Sequence, residues 1–169
     1  MSELKQWLND IANGDKVAFE KLYESEHKPL FTVILRITRD YKLSEDILQD
    51  LFLKVYVSQL TKVSNPRAYL YRMAHNMAID EIRKQKPQSE IEEAEKISPY
   101  YHAPVSDKTD IENAIYSLPE RERKIMSLHI DGDLKFREIA EIMRIPLGTV
   151  LWSYRKAIKH LQTTLRSTL

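Results

Sequence analysis

The chain has 169 residues, 43% of them apolar, no cysteine and a formal net charge of +1. The apolar share supplies a core and excludes disorder along the whole chain. The missing cysteines exclude disulfides, thiol catalysis and Cys-ligated zinc, and no apolar run approaches the ~20 residues of a membrane span.

The N-terminus, Met1-Ser-Glu-Leu-Lys-Gln-Trp7, shows no signal-peptide pattern, so a soluble cytoplasmic protein without membrane insertion of its own is expected. Leu4, Trp7, Leu8 and Ile11 fall at helical spacing and predict a first helix over Ser2 to Ala12. Gly14-Asp15 stops it and caps a second helix from Lys16, in which Pro29 is expected to impose a kink or a restart. A third helix is expected from a Ser44 N-cap, with Glu45 and Asp46 in a first turn favoured by the helix dipole. It continues through Ile47, Leu48, Leu51, Phe52, Val55 and Tyr56. Leu60 to Asn65 is a loop, and Pro66 opens a fourth helix reaching about Lys84.

Residues 86–110 change character, with three prolines, little periodicity, three basic and six acidic side chains. They predict a flexible acidic linker in which Glu90 to Lys96 has room for one or two helical turns. Helical signals return at Asp110, the expected cap of Ile111–Ser117, and Pro119 opens a helix through Ile130. Asp131-Gly-Asp133 is a turn. The stretch from Lys135 to Ile142 is a short helix, and the turn at Arg144 asks for a residue that accepts positive φ. The last helix closes the chain. Fold class is therefore all-α: two small helical domains, residues 1–85 and 111–169, joined by the linker.

The +1 hides an uneven distribution. Residues 1–85 hold 13 basic and 12 acidic side chains, the linker is at −3, and residues 111–169 hold ten basic and seven acidic ones. A short helix, a tight turn and a basic amphipathic helix form a helix-turn-helix suited to a DNA major groove. On the last helix Leu147, Val150, Leu151, Tyr154, Ile158, Leu161 and Leu165 make an apolar stripe. Thr149, Trp152, Ser153, Lys156 and Lys159 are expected opposite it, with Arg155 at the flank. Arg137 stands on the preceding helix. An aromatic ring amid a polar face marks a contact surface.

Two further stretches carry candidates. Asp46, Gln49, Asp50 and Leu53 share one helical side, which suits docking on a helical partner; a metal site would need a further ligand that is not nearby. On the fourth helix Arg67, Tyr71, Arg72, His75, Arg83 and Lys84 interleave cations with aromatics, the Arg and Tyr residues expected to face outward. That combination suits single-stranded nucleic acid, where phosphates meet cations and bases stack on rings. The five histidines lack metal-ligand spacing, there is no Gly-rich phosphate loop, and no nucleophile stands beside a base. The expectation is no enzyme, no cofactor and no metal.

Four stretches in order carry a family resemblance: Ser44-Glu-Asp-Ile-Leu-Gln-Asp-Leu-Phe-Leu53, Pro66-Arg-Ala-Tyr-Leu-Tyr-Arg-Met-Ala-His-Asn-Met-Ala-Ile-Asp80, Ser117-Leu-Pro-Glu-Arg-Glu-Arg123, and Glu138-Ile-Ala140 with Ile145-Pro-Leu-Gly-Thr-Val150. The chain resembles the bacterial extracytoplasmic-function sigma factors of the sigma-70 family. The resemblance implies a transcription initiation factor with core RNA polymerase and promoter DNA as partners and an anti-sigma factor as its restraint. It implies that Asp46, Gln49, Asp50 and Leu53 dock on core polymerase. It assigns Lys62, Asn65, Arg67, Tyr71, Arg72, His75, Asn76, Arg83 and Lys84 to the single-stranded −10 element. Arg137, Thr149, Trp152, Ser153, Arg155, Lys156 and Lys159 are assigned to the double-stranded −35 element. The linker resembles the segment that threads toward the polymerase active centre. The chain departs from the family where Leu151-Trp152-Ser153 replaces a Lys, a small residue and an Arg, where Tyr69 replaces a common Trp, and in its short loop at 60–65. The alternative reading is a stand-alone helix-turn-helix regulator.

Overall fold

The structure is a computed structural model and describes residues 2–86 and 109–168, all of whose regular elements are helices. Helices α1 (Glu3–Ala12), α2 (Lys16–Thr38), α3 (Tyr41–Val57) and α4 (Pro66–Gln85) form a first group. Helices α5 (Asp110–Ser117), α6 (Glu120–Ile130), α7 (Phe136–Met143) and α8 (Leu147–Thr168) form a second. The linker expected at 86–110, its one or two turns and its role toward a polymerase active centre lie outside the described residues, apart from Lys86, Thr109 and Asp110 at its ends.

Local chemistry sets most helix starts. Ser2 caps α1 by accepting from Lys5 N, and Asp15 caps α2 by accepting from Val17 N and Ala18 N. Asn65 caps α4 through Ala68 N, with Pro66 in the first turn, where its missing N–H costs nothing. Two expected caps are corrected. Helix α3 begins three residues before Ser44: Asp40 is the cap and accepts from Leu43 N at 3.0 Å. Ser44 is buried inside the first turn, and its hydroxyl donates back to Asp40 O at 2.6 Å. Likewise Thr109, not Asp110, caps α5. Pro29 does not restart α2, which runs on to Thr38. Leu30, Val33 and Ile34 just beyond it are wholly buried, and each such side chain contributes ~1.5–3 kcal/mol, enough to offset the lost backbone bond.

The two groups share one core. Leu22, Leu30, Leu51 and Leu70 of the first belong to the same apolar cluster as Ile125, Leu128, Ile139 and Val150 of the second. The principal seam is α2 against α6. Charged groups line it. Arg36 pairs with Asp131, which also accepts from the Ser127 hydroxyl at 2.8 Å. Arg123 is buried and donates to Arg36 O at 2.8 Å and Leu118 O at 2.9 Å. Burial, with the nearby Arg39 charge, lowers its guanidinium to about 10. Arg39 donates to Tyr116 O at 2.8 Å.

Candidate nucleic-acid and partner interfaces

Three surfaces carry the candidates. The first is on α3. Its buried side, Ile47, Leu48, Leu51, Phe52 and Val55, packs into the core and turns Asp46, Gln49, Asp50 and Leu53 outward. Leu53 is 61% exposed. Val57, exposed as well and one turn beyond Leu53, extends the patch; its i+4 spacing from Leu53 was the available signal. A helix side that places two carboxylates, an amide and two apolar side chains in water has the mixed character of a docking face.

The second surface is α4, where the outward-facing expectation needs correction. Tyr71 is fully buried, so in this arrangement its ring meets no nucleic acid. Its hydroxyl lies 3.4 Å from the buried Glu26 carboxylate, and burial, then the Glu26 charge, pushes the Tyr71 hydroxyl pKa well up. Arg67 is half-buried and donates to Glu26 at 2.9 Å. His75 is half-buried, and burial lowers its pKa. Lys62, Asn65, Arg72, Asn76, Arg83 and Lys84 are exposed. Asn65 is occupied twice, as the α4 cap and as donor to Glu138 at 2.5 Å. Lys84 pairs with Glu81 at 3.0 Å. The aromatic ring that does reach solvent is Tyr69, 36% exposed. Tyr69, Arg72, Asn76 and Arg83 fall within about 60° of one another around α4 and make one row, while Arg67 and Tyr71 lie on the opposite side.

The third surface is the helix-turn-helix. Helix α7 ends on Arg144 in the left-handed region at φ 55°, as the turn required. Glu138 accepts from Lys135 N at 2.8 Å and fixes the start of α7. Helix α8 buries Val150, Ser153 and Ala157 and half-buries Tyr154, Ile158 and Leu161. Ser153, expected on the DNA-facing side, is therefore corrected to the core. It sits between Val150 and Ala157 on the same stripe, and its hydroxyl has no hydrogen-bond partner among the described residues. Trp152, Arg155, Lys156 and Lys159 are exposed on one side with Thr149 half-exposed beside them, and Arg137 is exposed on α7. The Trp152 ring is 58% exposed, and the Lys156 ammonium lies 4.9 Å from its centre. Lys156 also stands 3.6 Å from Glu122, a carboxylate buried on α6.

Among the described residues no His, Asp and Glu gather as a metal site, and no helix is long and apolar enough to cross a membrane.

Two family models match in order along the chain: Sigma-70 region 2 over residues 22–88 and Sigma-70, region 4 over residues 108–161. Among characterised relatives, the ECF RNA polymerase sigma factor SigW of Bacillus subtilis (strain 168) is 28% identical over 182 aligned residues, covering 96% of this chain and 97% of that protein. The ECF RNA polymerase sigma factor SigK of Mycobacterium sp. (strain JLS) is 26% identical over 176 residues, covering 97% and 91%. Solved structures that share the fold include two complexes. One is CnrH in complex with the cytosolic domain of CnrY, with TM-score 0.69 at 16% identity over 98% of this chain and 99% of that one. The other is the sigma factor RpoE in complex with the anti-sigma factor NepR from Bartonella quintana, with TM-score 0.67 at 20% identity over 88% and 96%. Region 2 and region 4 in one chain, with full-length similarity to SigW and SigK, make this protein a member of the sigma-70 family of transcription initiation factors, of the extracytoplasmic-function type.

Proposed function

We propose that the chain docks on core RNA polymerase through α3, engages the single-stranded −10 element through α4, and reads the −35 major groove through α8. The observation that carries this reading is the set of outward faces on one all-helical chain. Helix α3 presents Asp46, Gln49, Asp50 and Leu53, and α8 presents Trp152, Arg155, Lys156 and Lys159. Each face suits a different chemistry. The α3 face offers charge-assisted contacts around exposed apolar groups, the mixture that protein interfaces use. The α8 face offers cations for phosphates and one large ring for base edges. With the Lys and Arg of other family members replaced at Leu151 and Ser153, base selection on α8 rests on Trp152 and apolar contact such as thymine methyl groups. On α4 the exposed row Tyr69, Arg72, Asn76 and Arg83 combines one stacking ring with two cations and an amide.

As a transcription initiation factor the chain belongs to a family that is not a classical enzyme class. The further reading is that it supplies binding energy alone and leaves nucleotide chemistry to the polymerase. An anti-sigma protein is the proposed restraint, since two solved structures of similar fold are of RpoE in complex with the anti-sigma factor NepR and of CnrH in complex with the cytosolic domain of CnrY. The test is co-purification with core RNA polymerase, followed by run-off transcription on genomic fragments. Start sites that appear only when this chain is added support the reading. Failure to bind core polymerase overturns it.

A further inference from the structure

Helix α6 carries a buried charge that the proposed DNA contacts do not use. Glu122 stands in its first turn, where the helix dipole favours a carboxylate, and the side chain is 6% exposed. Helix α6 packs against α8 through Met126 and Ala157, both fully buried, and the small Ala157 side chain lets the two backbones approach. Lys156, the chain neighbour of Ala157, is thereby carried to the rim of that contact. Its ammonium lies 3.6 Å from the Glu122 carboxylate and 4.9 Å from the centre of the Trp152 ring. It is the one cation within ion-pair distance of Glu122 among the described residues. Arg155 and Lys159, on the same outward side of α8, have no carboxylate at that distance among the described residues.

We infer that Glu122 is a positioning residue for the −35 contact, a buried counter-charge that competes with DNA phosphate for the Lys156 ammonium and so holds down affinity for duplex of any sequence. The inference rests on the proposed reading of the major groove by α8 and adds to it a restraint built into α6. A phosphate can take the ammonium in two ways. Lys156 leaves Glu122 without its counter-charge, which is costly for a carboxylate out of water, or it stays and a second negative charge comes close to the first. The opposition is modest, because the pair is long and the Lys156 side chain is 56% exposed, so water screens it. It is also blind to sequence, since a phosphate contact carries no base information, whereas the exposed Trp152 ring keeps its access to base edges. The consequence is a chain that releases random duplex readily while its choice among sequences stays with Trp152.

The test uses the full chain and two labelled duplex probes, one of random sequence and the best binder from a randomised −35 library. Glu122→Gln removes the charge and keeps the shape. It should tighten binding to both probes by about two- to fivefold, the range set by one screened ion pair, with helix content by circular dichroism unchanged. Glu122→Met, neutral and of similar length, should do the same, so misfolding of one variant leaves the other to decide. Glu112→Gln makes the same charge change at an exposed position on α5 and should leave both affinities as in the parent. In a Lys156→Ala background Glu122→Gln should bring no gain, because there is no ammonium left to compete for. Neutral variants at 122 that bind no tighter overturn the inference. So does a gain that persists without Lys156, one matched by Glu112→Gln, or one confined to the selected duplex. Lys156→Ala alone isolates the underlying reading. If it weakens both probes while Glu122→Gln tightens neither, α8 grips phosphate through Lys156 and Glu122 does not restrain it. If it changes neither affinity, the phosphate contact on α8 falls, and the role of Glu122 with it.

Discussion

Tyr69 and Tyr71 are two residues apart on α4 and have opposite fates, which makes a decisive pair of substitutions. Tyr71 is fully buried, and truncating a buried aromatic to alanine removes its transfer energy and leaves a cavity, together ~3–5 kcal/mol. For a domain whose whole stability is about 5–15 kcal/mol, and with a urea slope of roughly 2 kcal/mol per molar, Tyr71→Ala should lower the unfolding midpoint by about 1.5–2.5 M. Tyr71→Phe keeps the ring and loses only the long 3.4 Å contact with Glu26, so about 0.5–1.5 kcal/mol is expected. Tyr69→Ala, at a half-open site, should stay within about 0.5 kcal/mol of the parent. On a template with a pre-melted −10 segment, Tyr69→Ala should cost ~1–3 kcal/mol of binding, the worth of one stacked base. The assay is urea unfolding followed by circular dichroism for all three variants, paired with open-complex formation on duplex and bubble templates. An unchanged midpoint for Tyr71→Ala beside a large drop for Tyr69→Ala would refute the burial reading of α4.

On α3, Gln49→Ala with Asp50→Arg should abolish co-purification with core polymerase while thermal unfolding is unchanged, since removing a charge-assisted interface contact costs on the order of 2–5 kcal/mol. Ser153→Ala deletes a buried hydroxyl that has no partner among the described residues, so stability should hold or rise by up to ~1 kcal/mol, measured by urea midpoint; a loss above that range would mean the hydroxyl is satisfied. His75 has its pKa lowered below the ordinary 6.5, first by burial and further by the Lys124 charge, against the opposing effect of the hydrogen bond its ring donates to the Asn76 amide oxygen. The unfolded chain therefore takes up this proton first as pH falls. The His75 contribution is complete above 6.5 and is lost between 6.5 and the lower folded-state value, so His75→Gln should flatten the loss of stability on that acid limb. On α8, Trp152→Ala should change the preferred −35 sequence at a cost of ~1–3 kcal/mol on the best site. Lys156→Ala should weaken all sequences alike and reduce the salt slope by about one unit. Both are read on a randomised −35 library at two salt concentrations, and an unchanged preference in Trp152→Ala would mean that α8 is rotated.

Helix periodicity made much of this legible. The α3 face followed from i, i+3, i+4 spacing, and the positive φ at Arg144 followed from the turn between α7 and α8. Tyr71 was open to the same arithmetic. It lies within about 20° of Ala78 on the helix, and the alanines at 74 and 78 mark the close-packed side. Chemical character, a tyrosine beside arginines, masked that position. Ser153 repeats the lesson, flanked on its stripe by Val150 and Ala157. The seam between the helix groups had no comparable signal. Its members, Arg36, Arg123 and Asp131, are residue types that normally lie in water, and only the tertiary arrangement brings partners from 87 or 95 positions away. Gly132 was visible as a turn residue, whereas the nearness of Tyr71 was not.

The polarity of that seam bears on what the chain must do. Under the proposed reading its two DNA elements lie about 25 base pairs apart, and at 3.4 Å per pair that is roughly 85 Å of duplex. A compact chain of 169 residues has a radius of gyration near 15 Å and is roughly 40 Å across, too small to touch both. The segment between Gln85 and Asp110 bounds how far the groups can move apart: 24 residues at ~3.3–3.6 Å each reach about 80 Å. Under that reading the two groups must separate, and the length of the intervening segment permits it. The seam combines the shared apolar core with a partly buried ion pair and guanidinium-to-carbonyl bonds, and the polar part regains hydration when it opens while the apolar part is exposed. Arg36, Arg123 and Asp131 then contribute more to the choice of one closed arrangement than to its strength. Replacing Arg36 and Asp131 together by Met and Leu should tighten closure and raise the urea unfolding midpoint. A lower midpoint in that double variant would show that the ion pair contributes strength to the seam and not only its choice of arrangement.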